Sequence, residues 1–171
     1  MSWLYGLKRV VENKWYWSAL LALGLSMEAV ALLYQHGFKE DPCVLCIQVR
    51  LWVLCLIVVA LLALAVRRAW FYRLAQLLTI VIFAGLLERS WQLLGTERGF
   101  LYGDCGFDLG LPAWLALDEW FPAVFRVETS CGYTPELLFG ITMAEALLVM
   151  SGVLLLAALV IMAASFARHA D

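Results

Sequence analysis

The sequence predicts an all-α integral membrane protein: a four-transmembrane-helix bundle with two outer loops, the second containing a short interfacial helix. Three observations predict it. The 171 residues are 64% hydrophobic and only 15% charged, where a soluble domain carries roughly 45–50% apolar and 25% charged residues. The apolar residues gather into four runs close to the ~20 residues that cross a hydrocarbon core of about 30 Å. A series of alternating ten-residue strands, the mark of a membrane barrel, is missing. One membrane domain, 1–171, accounts for the chain.

The first span covers residues about 15–33 and follows Lys8, Arg9 and Lys14. It is too long for a signal peptide and has no A-x-A-like cleavage site, so it is expected to stay as a helix. The second, about 44–66, carries Arg50 near its start. The third, about 71–91, is apolar at its centre except for Gln76 and Thr79, and reaches bilayer length through flanking aromatics such as Phe71 and Trp91. The fourth, about 143–166, is uninterrupted beyond Glu145, which is placed to reach water. The outer loops are then about 34–43 and 92–142.

Lys8, Arg9, Lys14, Arg67, Arg68, Arg73 and Arg168 fall on the side shared by the termini, against Lys39, Arg98 and Arg126 on the other. The positive-inside rule puts both termini in the cytoplasm. The expected location is a bacterial inner membrane, multi-pass, with periplasmic loops and lipid around the bundle. A net charge of −2 gives no basis for a nucleic-acid partner.

Four of the five cysteines, Cys43, Cys46, Cys105 and Cys131, fall in or beside the outer loops, and Cys55 lies mid-membrane as packing. That outer compartment permits disulfides, unlike the cytosol. Cys43 and Cys46 form a C-x-x-C at the start of a helix. Residues three apart share a face at about 5–6 Å, within disulfide range. The helix N-terminus and a nearby cation both favour a thiolate, and Arg50 is four residues beyond Cys46. Pro42 suits helix entry. Two merely buried cysteines would leave Arg50 and Pro42 to be explained separately. Cys105 and Cys131 fit either a structural staple or exchange with the first pair.

Between them, "LPAWLALDEWFPAVFR" has a helical stripe of Trp114, Leu117, Trp120, Phe121, Val124 and Phe125. It reads as a helix in the headgroup zone or a loop packed on the bundle, with Pro122 breaking or kinking it. A zinc site needs a second closely spaced pair, which the chain lacks, so no metal is expected. His36 and His169 lie on opposite sides and cannot share a haem. Glu28, inside the first span, is either protonated or paired with Arg50 or Arg89.

"YQHGFKEDPCVLCIQVR", the segment from Cys105 to Cys131 and four spans in this order resemble the DsbB family, over residues about 15–160. The resemblance implies a quinone-dependent protein-disulfide oxidoreductase that reoxidises a periplasmic DsbA-like thioredoxin-fold protein. It implies that Cys105 forms the mixed disulfide with that partner and that Cys131 attacks Cys43. Cys46 is then released as a thiolate facing the quinone, with Arg50 holding the charge. The cofactor implied is ubiquinone or menaquinone, and the electrons leave through it to the respiratory chain. Arg89 and Gln92 match the family's arginine and glutamine near the third span's outer end. In place of the family's histidine the chain reads "GTERGF", with Glu97 and Arg98. Gln92 and Arg98 are therefore carried forward with Arg50 and Cys46 as quinone-binding candidates. A specialised paralogue fits the altered stretch. Two other readings stay beside this one: a structural or assembly protein with inert loop disulfides, and a bundle like vitamin K epoxide reductase, whose C-x-x-C comes late in the chain.

Overall fold

The computed structural model describes residues 10–101, 106, 108–112, 116–138 and 140–166. Four long helices dominate it: α1 (Lys14–Leu32), α2 (Val44–Ala65), α3 (Ala69–Glu97) and α6 (Met143–Phe166). All four are long and apolar enough to cross a membrane. At 1.5 Å per residue, the 22 residues of α2 span about 33 Å, the thickness of a hydrocarbon core. The helices pack in chain order, α1 on α2, α2 on α3 and α3 on α6.

Local chemistry sets the ends. Asn13 caps α1, its Oδ1 accepting from the Trp15 amide at 3.1 Å, as N-cap side chains do. Past Leu32 the helix widens into a π turn, Leu33–Gly37. Helix α3 outruns the apolar stretch from which its span was read, continuing to Glu97. The Thr96 hydroxyl bonds back to the carbonyls of Gln92 and Leu93, and Gly99, at φ 73°, closes the helix in the left-handed conformation that glycine adopts freely. "GTERGF" is thus a helix end with its glycine cap.

The core has two parts. The larger holds Trp17, Val53, Leu56, Ala60, Phe83 and Leu86 between the helices. Gly24 lets α1 approach α2, since a Cβ there would sit 2.7 Å from Ile57 Cγ1. Tyr16 and Gln76 satisfy their polar groups inside the bundle, as a medium without water favours: the Tyr16 hydroxyl donates to Gln76 Oε1 at 2.9 Å and Gln76 Nε2 to the Ala158 carbonyl at 3.1 Å. Val149, Val153 and Leu156 leave α6 exposed on one side, the surface a lipid-facing helix presents.

The smaller part of the core lies at the start of α2 and contains Cys43, Val44, Leu45, Ile47, Leu93, Leu109, Phe125 and Ala144. Above it runs the second outer loop. The single interfacial helix of the sequence reading is two separate turns, α4 (Leu117–Trp120) and α5 (Pro122–Phe125). The break falls at Phe121, φ −132° and ψ 63°, because the residue before a proline is pushed out of the helical region. The expected stripe also divides. Leu117, Val124 and Phe125 pack inward on the Cys43 cluster, while Trp120 and Phe121 are exposed. Trp114 lies outside the described residues. A short hairpin, β1 (Glu136–Leu138) with β2 (Ile141–Thr142), leads into α6.

Candidate redox site

Cys43 is the N-cap of α2, with φ −84° and ψ 169°, so the chain arrives extended from Pro42 and turns into the helix at the sulfur. The Cys46 amide points back at Cys43 Sγ at 3.4 Å, one of the unpaired N–H groups of a helix start. The two sulfurs are 2.8 Å apart, within reach of bond formation without backbone movement. Cys43 is buried, with 1% of its surface exposed.

The second outer loop brings a third sulfur to the pair. The Pro42 carbonyl accepts from the amides of Glu128 at 3.0 Å and Thr129 at 3.5 Å. Cys43 and Thr129 pair as a parallel bridge. Two residues later Cys131 packs against the cluster that holds Cys43, close enough for its sulfur to act on the Cys43 thiol. That contact lowers the pKa of Cys43, but the Cys46 sulfur and burial outweigh it and push the thiol up to about 12. Cys43 therefore holds a proton at neutral pH. Cys105, the fourth predicted cysteine, lies outside the described residues. Gln48 Nε2 donates to the Leu109 carbonyl at 3.3 Å.

Arg50 is buried, with 6% of its surface exposed. Its acceptors are all neutral: the Val124 carbonyl at 2.9 Å and Gln35 Oε1 at 2.5 Å from Nη1, and the Ala31 carbonyl at 3.0 Å from Nη2. The Glu28 carboxyl is within electrostatic range, and its Oε1 is buried without a hydrogen-bond partner among the described residues. Of the alternatives for Glu28, then, Arg50 is its charged neighbour, while Arg89 is occupied by Gln92 and Glu88.

Cys46, Arg50 and Glu28 line one cavity of about 330 Å³ between α1, α2 and α6. The rest of its wall is mainly apolar, with Met27, Val53 and Leu147 among the lining residues. A ligand cavity of about 300–1,000 Å³, mostly apolar with a few convergent polar groups, suits a small planar molecule. The residues present fit a quinone head group. They offer an apolar slot, a sulfur at its edge, a guanidinium held by neutral acceptors, and a carboxyl oxygen left unpartnered.

Gln92 and Arg98 are not among the lining residues. Gln92 donates to Glu88 and accepts from Arg89, and Arg98 pairs with Glu145. Glu145 was expected to reach water. It keeps 28% of its side chain exposed and also holds Arg98, and it accepts from the Thr142 amide at 3.2 Å, binding the end of α3 to the start of α6. Sequence reasoning missed Gln35, which touches both Arg50 and the loop. It is one of the residues in the quoted "YQHGFKEDPC", but a glutamine at a helix end carries no signal of its own.

The family model described as disulfide bond formation protein DsbB matches residues 13–161. Disulfide bond formation protein B of Shewanella loihica is similar to the chain at 32% identity, covering 90% of this chain and 91% of its own length. Disulfide bond formation protein B 2 of Pseudomonas aeruginosa is 33% identical, over 81% of this chain and 83% of its own length. The protein B of Haemophilus influenzae is also 33% identical, over 84% and 82% respectively.

Proposed function

The chain belongs to the DsbB family, and from this premise we propose that it reoxidises a periplasmic DsbA-like thioredoxin-fold protein and passes the electrons to a membrane quinone, ubiquinone or menaquinone. The observation that carries the reading is the meeting of three sulfurs at one helix start. Cys131 contacts Cys43, Cys43 is 2.8 Å from Cys46, and Cys46 opens on the cavity that holds Arg50.

In this reading the resting protein has two disulfides, Cys105–Cys131 and Cys43–Cys46. A thiolate of the reduced partner attacks Cys105 and displaces the Cys131 sulfur. Cys131, held by the Thr129 bridge, attacks Cys43 and displaces Cys46 as a thiolate. The partner's second thiol then resolves the mixed disulfide, and the partner leaves oxidised. Each step exchanges one sulfur–sulfur bond for another. Cys105 then attacks Cys131, re-forming their disulfide and freeing Cys43 beside Cys46. A quinone held in the cavity beside Cys46 and Arg50 would accept the two electrons and two protons given up as Cys43 and Cys46 rejoin. Arg50 holds negative charge beside Cys46, an electrostatic role strongest where water is excluded. Glu28 partly balances that guanidinium when the cavity is empty of negative charge. Gln92 and Arg98 act at a distance, by fixing the outer end of α3.

The reading places both termini in the cytoplasm of a bacterium with the sulfurs on the periplasmic side of its inner membrane, and the chain in the respiratory chain through the quinone. The test follows a reduced DsbA-like protein and a quinone together in purified membranes. The expected result is oxidation of one thiol pair for each quinone reduced, lost in Cys46→Ser. Retention of coupled activity in Cys46→Ser would overturn the reading.

A further inference from the structure

Arg50 has two sets of neighbours. Inward, it lines the cavity beside Cys46 and Glu28. Outward, its Nη1 donates to the Val124 carbonyl of α5 at 2.9 Å, and the same nitrogen donates at 2.5 Å to Oε1 of Gln35, which itself lines the cavity. Gln35 continues the connection, its Nε2 donating to the Ala123 carbonyl at 3.3 Å. Ala123 and Val124 belong to a helix of one turn, so their carbonyls find no partner within it. Gln35 and Arg50 supply those partners. Beyond α5 the chain runs along Pro42 and Cys43 and arrives at Cys131.

The same hydrogen bonds thus hold the redox loop and orient the cavity's guanidinium. If the loop lifts, Arg50 loses the Val124 carbonyl and Gln35 loses Ala123. A buried cation short of acceptors turns toward whatever negative group remains, here the Glu28 side of the cavity. We infer that Gln35 is a positioning residue coupling the docking of the second outer loop, and with it the approach of Cys131 to Cys43, to the pose of Arg50 in the cavity. The inference rests on the exchange route proposed above. Coupling of this kind is reciprocal. A ligand that engages Arg50 in its docked pose also favours the docked loop.

The test uses the full chain in detergent micelles with Cys46→Ser and Cys105→Ser, which leaves Cys43 and Cys131 to pair. A glutathione buffer, its thiol-to-disulfide ratio read in every sample, gives the effective concentration of one thiol for the other, with and without a short-tailed, fully ring-substituted benzoquinone. In the parent, the quinone is expected to raise the effective concentration. Gln35→Met removes both contacts and is expected to lower it about tenfold, the effect of losing a hydrogen bond to a charged group, and to abolish the rise. Gln35→Glu keeps an acceptor for Arg50 but has no donor for Ala123. It is expected to lower the value about threefold, as for one neutral hydrogen bond, and to keep part of the rise.

A parent that forms no Cys43–Cys131 bridge overturns the exchange route and the coupling with it. A parent that forms the bridge, with glutamine variants that match it, overturns the role of Gln35 and leaves the route standing. A Gln35→Met protein with a weaker bridge and an undiminished response to quinone makes Gln35 a simple loop anchor and overturns the coupling.

Discussion

Two arginines stand at the same end of the bundle, and they solve opposite problems. Arg98, at the end of α3, leaves 57% of its side chain exposed and pairs with the Glu145 carboxylate. Arg50, in the second turn of α2, is buried and, among the described residues, hydrogen-bonded to two carbonyls and an amide oxygen. An arginine paired with a carboxylate has its charge neutralised locally, and water screens the remainder. One held by neutral acceptors keeps its charge while its donors are satisfied. The cavity beside Cys46 thus gains a fixed positive site, and the α3 end gains a tie to α6. The lesson is that partner type, more than residue type, separates a cation that faces a cavity from one that ties two helices together.

The comparison can be broken in order of effect. The largest belongs to Cys46, the sulfur that shares the cavity with Arg50. Cys46→Ser is expected to bring quinone reduction down to background, read from quinone absorbance in membranes. Next is Arg50 itself. Arg50→Ala should slow quinone reduction by about a hundredfold, the range seen when a preorganised charge-stabilising donor is removed. Arg50→Lys should recover only part of it, because an ammonium does not reproduce the planar fork. Equal rates for Arg50→Ala and the parent would put the cation outside the chemistry.

A third measurement concerns the proton on Cys43. Its thiol is pushed up to about 12 by the Cys46 sulfur and burial, against the lowering contact with Cys131. The thiolate is the nucleophile, so alkylation of Cys43 in the reduced protein at pH 8 should run more than about a hundredfold slower than that of an unperturbed cysteine of pKa about 8.5. The rate should keep rising through pH 10. A plateau near pH 9, followed by mass spectrometry of the labelled peptide, would show an ordinary thiol. The smallest effect is expected of Arg98→Ala. Losing an exposed pair removes at most about 1 kcal/mol, so quinone reduction should stay within about twofold of the parent. A drop as large as that of Arg50→Ala would erase the distinction between the two arginines.

Much of this was legible before any coordinates. The four apolar runs are long enough that hydrophobic length alone specifies helices. Cys43 and Cys46 sit at a helix start because Pro42 precedes them. The break in the interfacial helix was readable from Pro122, though its division into two turns with opposite exposures was not. The apolar run of the third span stops near Trp91, whereas its helix continues until Gly99 stops it. "GTERGF" stands where the family has a histidine, and its second glycine, Gly99, is the letter that ends the helix.

The sequence by itself determined the bundle, the C-x-x-C at a helix start and the presence of a cation one turn beyond it. These follow from periods, lengths and local turn chemistry, which act between near neighbours. Only the tertiary structure decided which groups meet across long separations. It seats Cys131 against Cys43 and gives Arg50 to Val124 and Gln35. It joins Arg98 to Glu145, and it leaves a Glu28 oxygen without a partner beside Cys46. Such contacts depend on how a loop of irregular backbone finds donors for its carbonyls, and no periodicity in the chain encodes that choice.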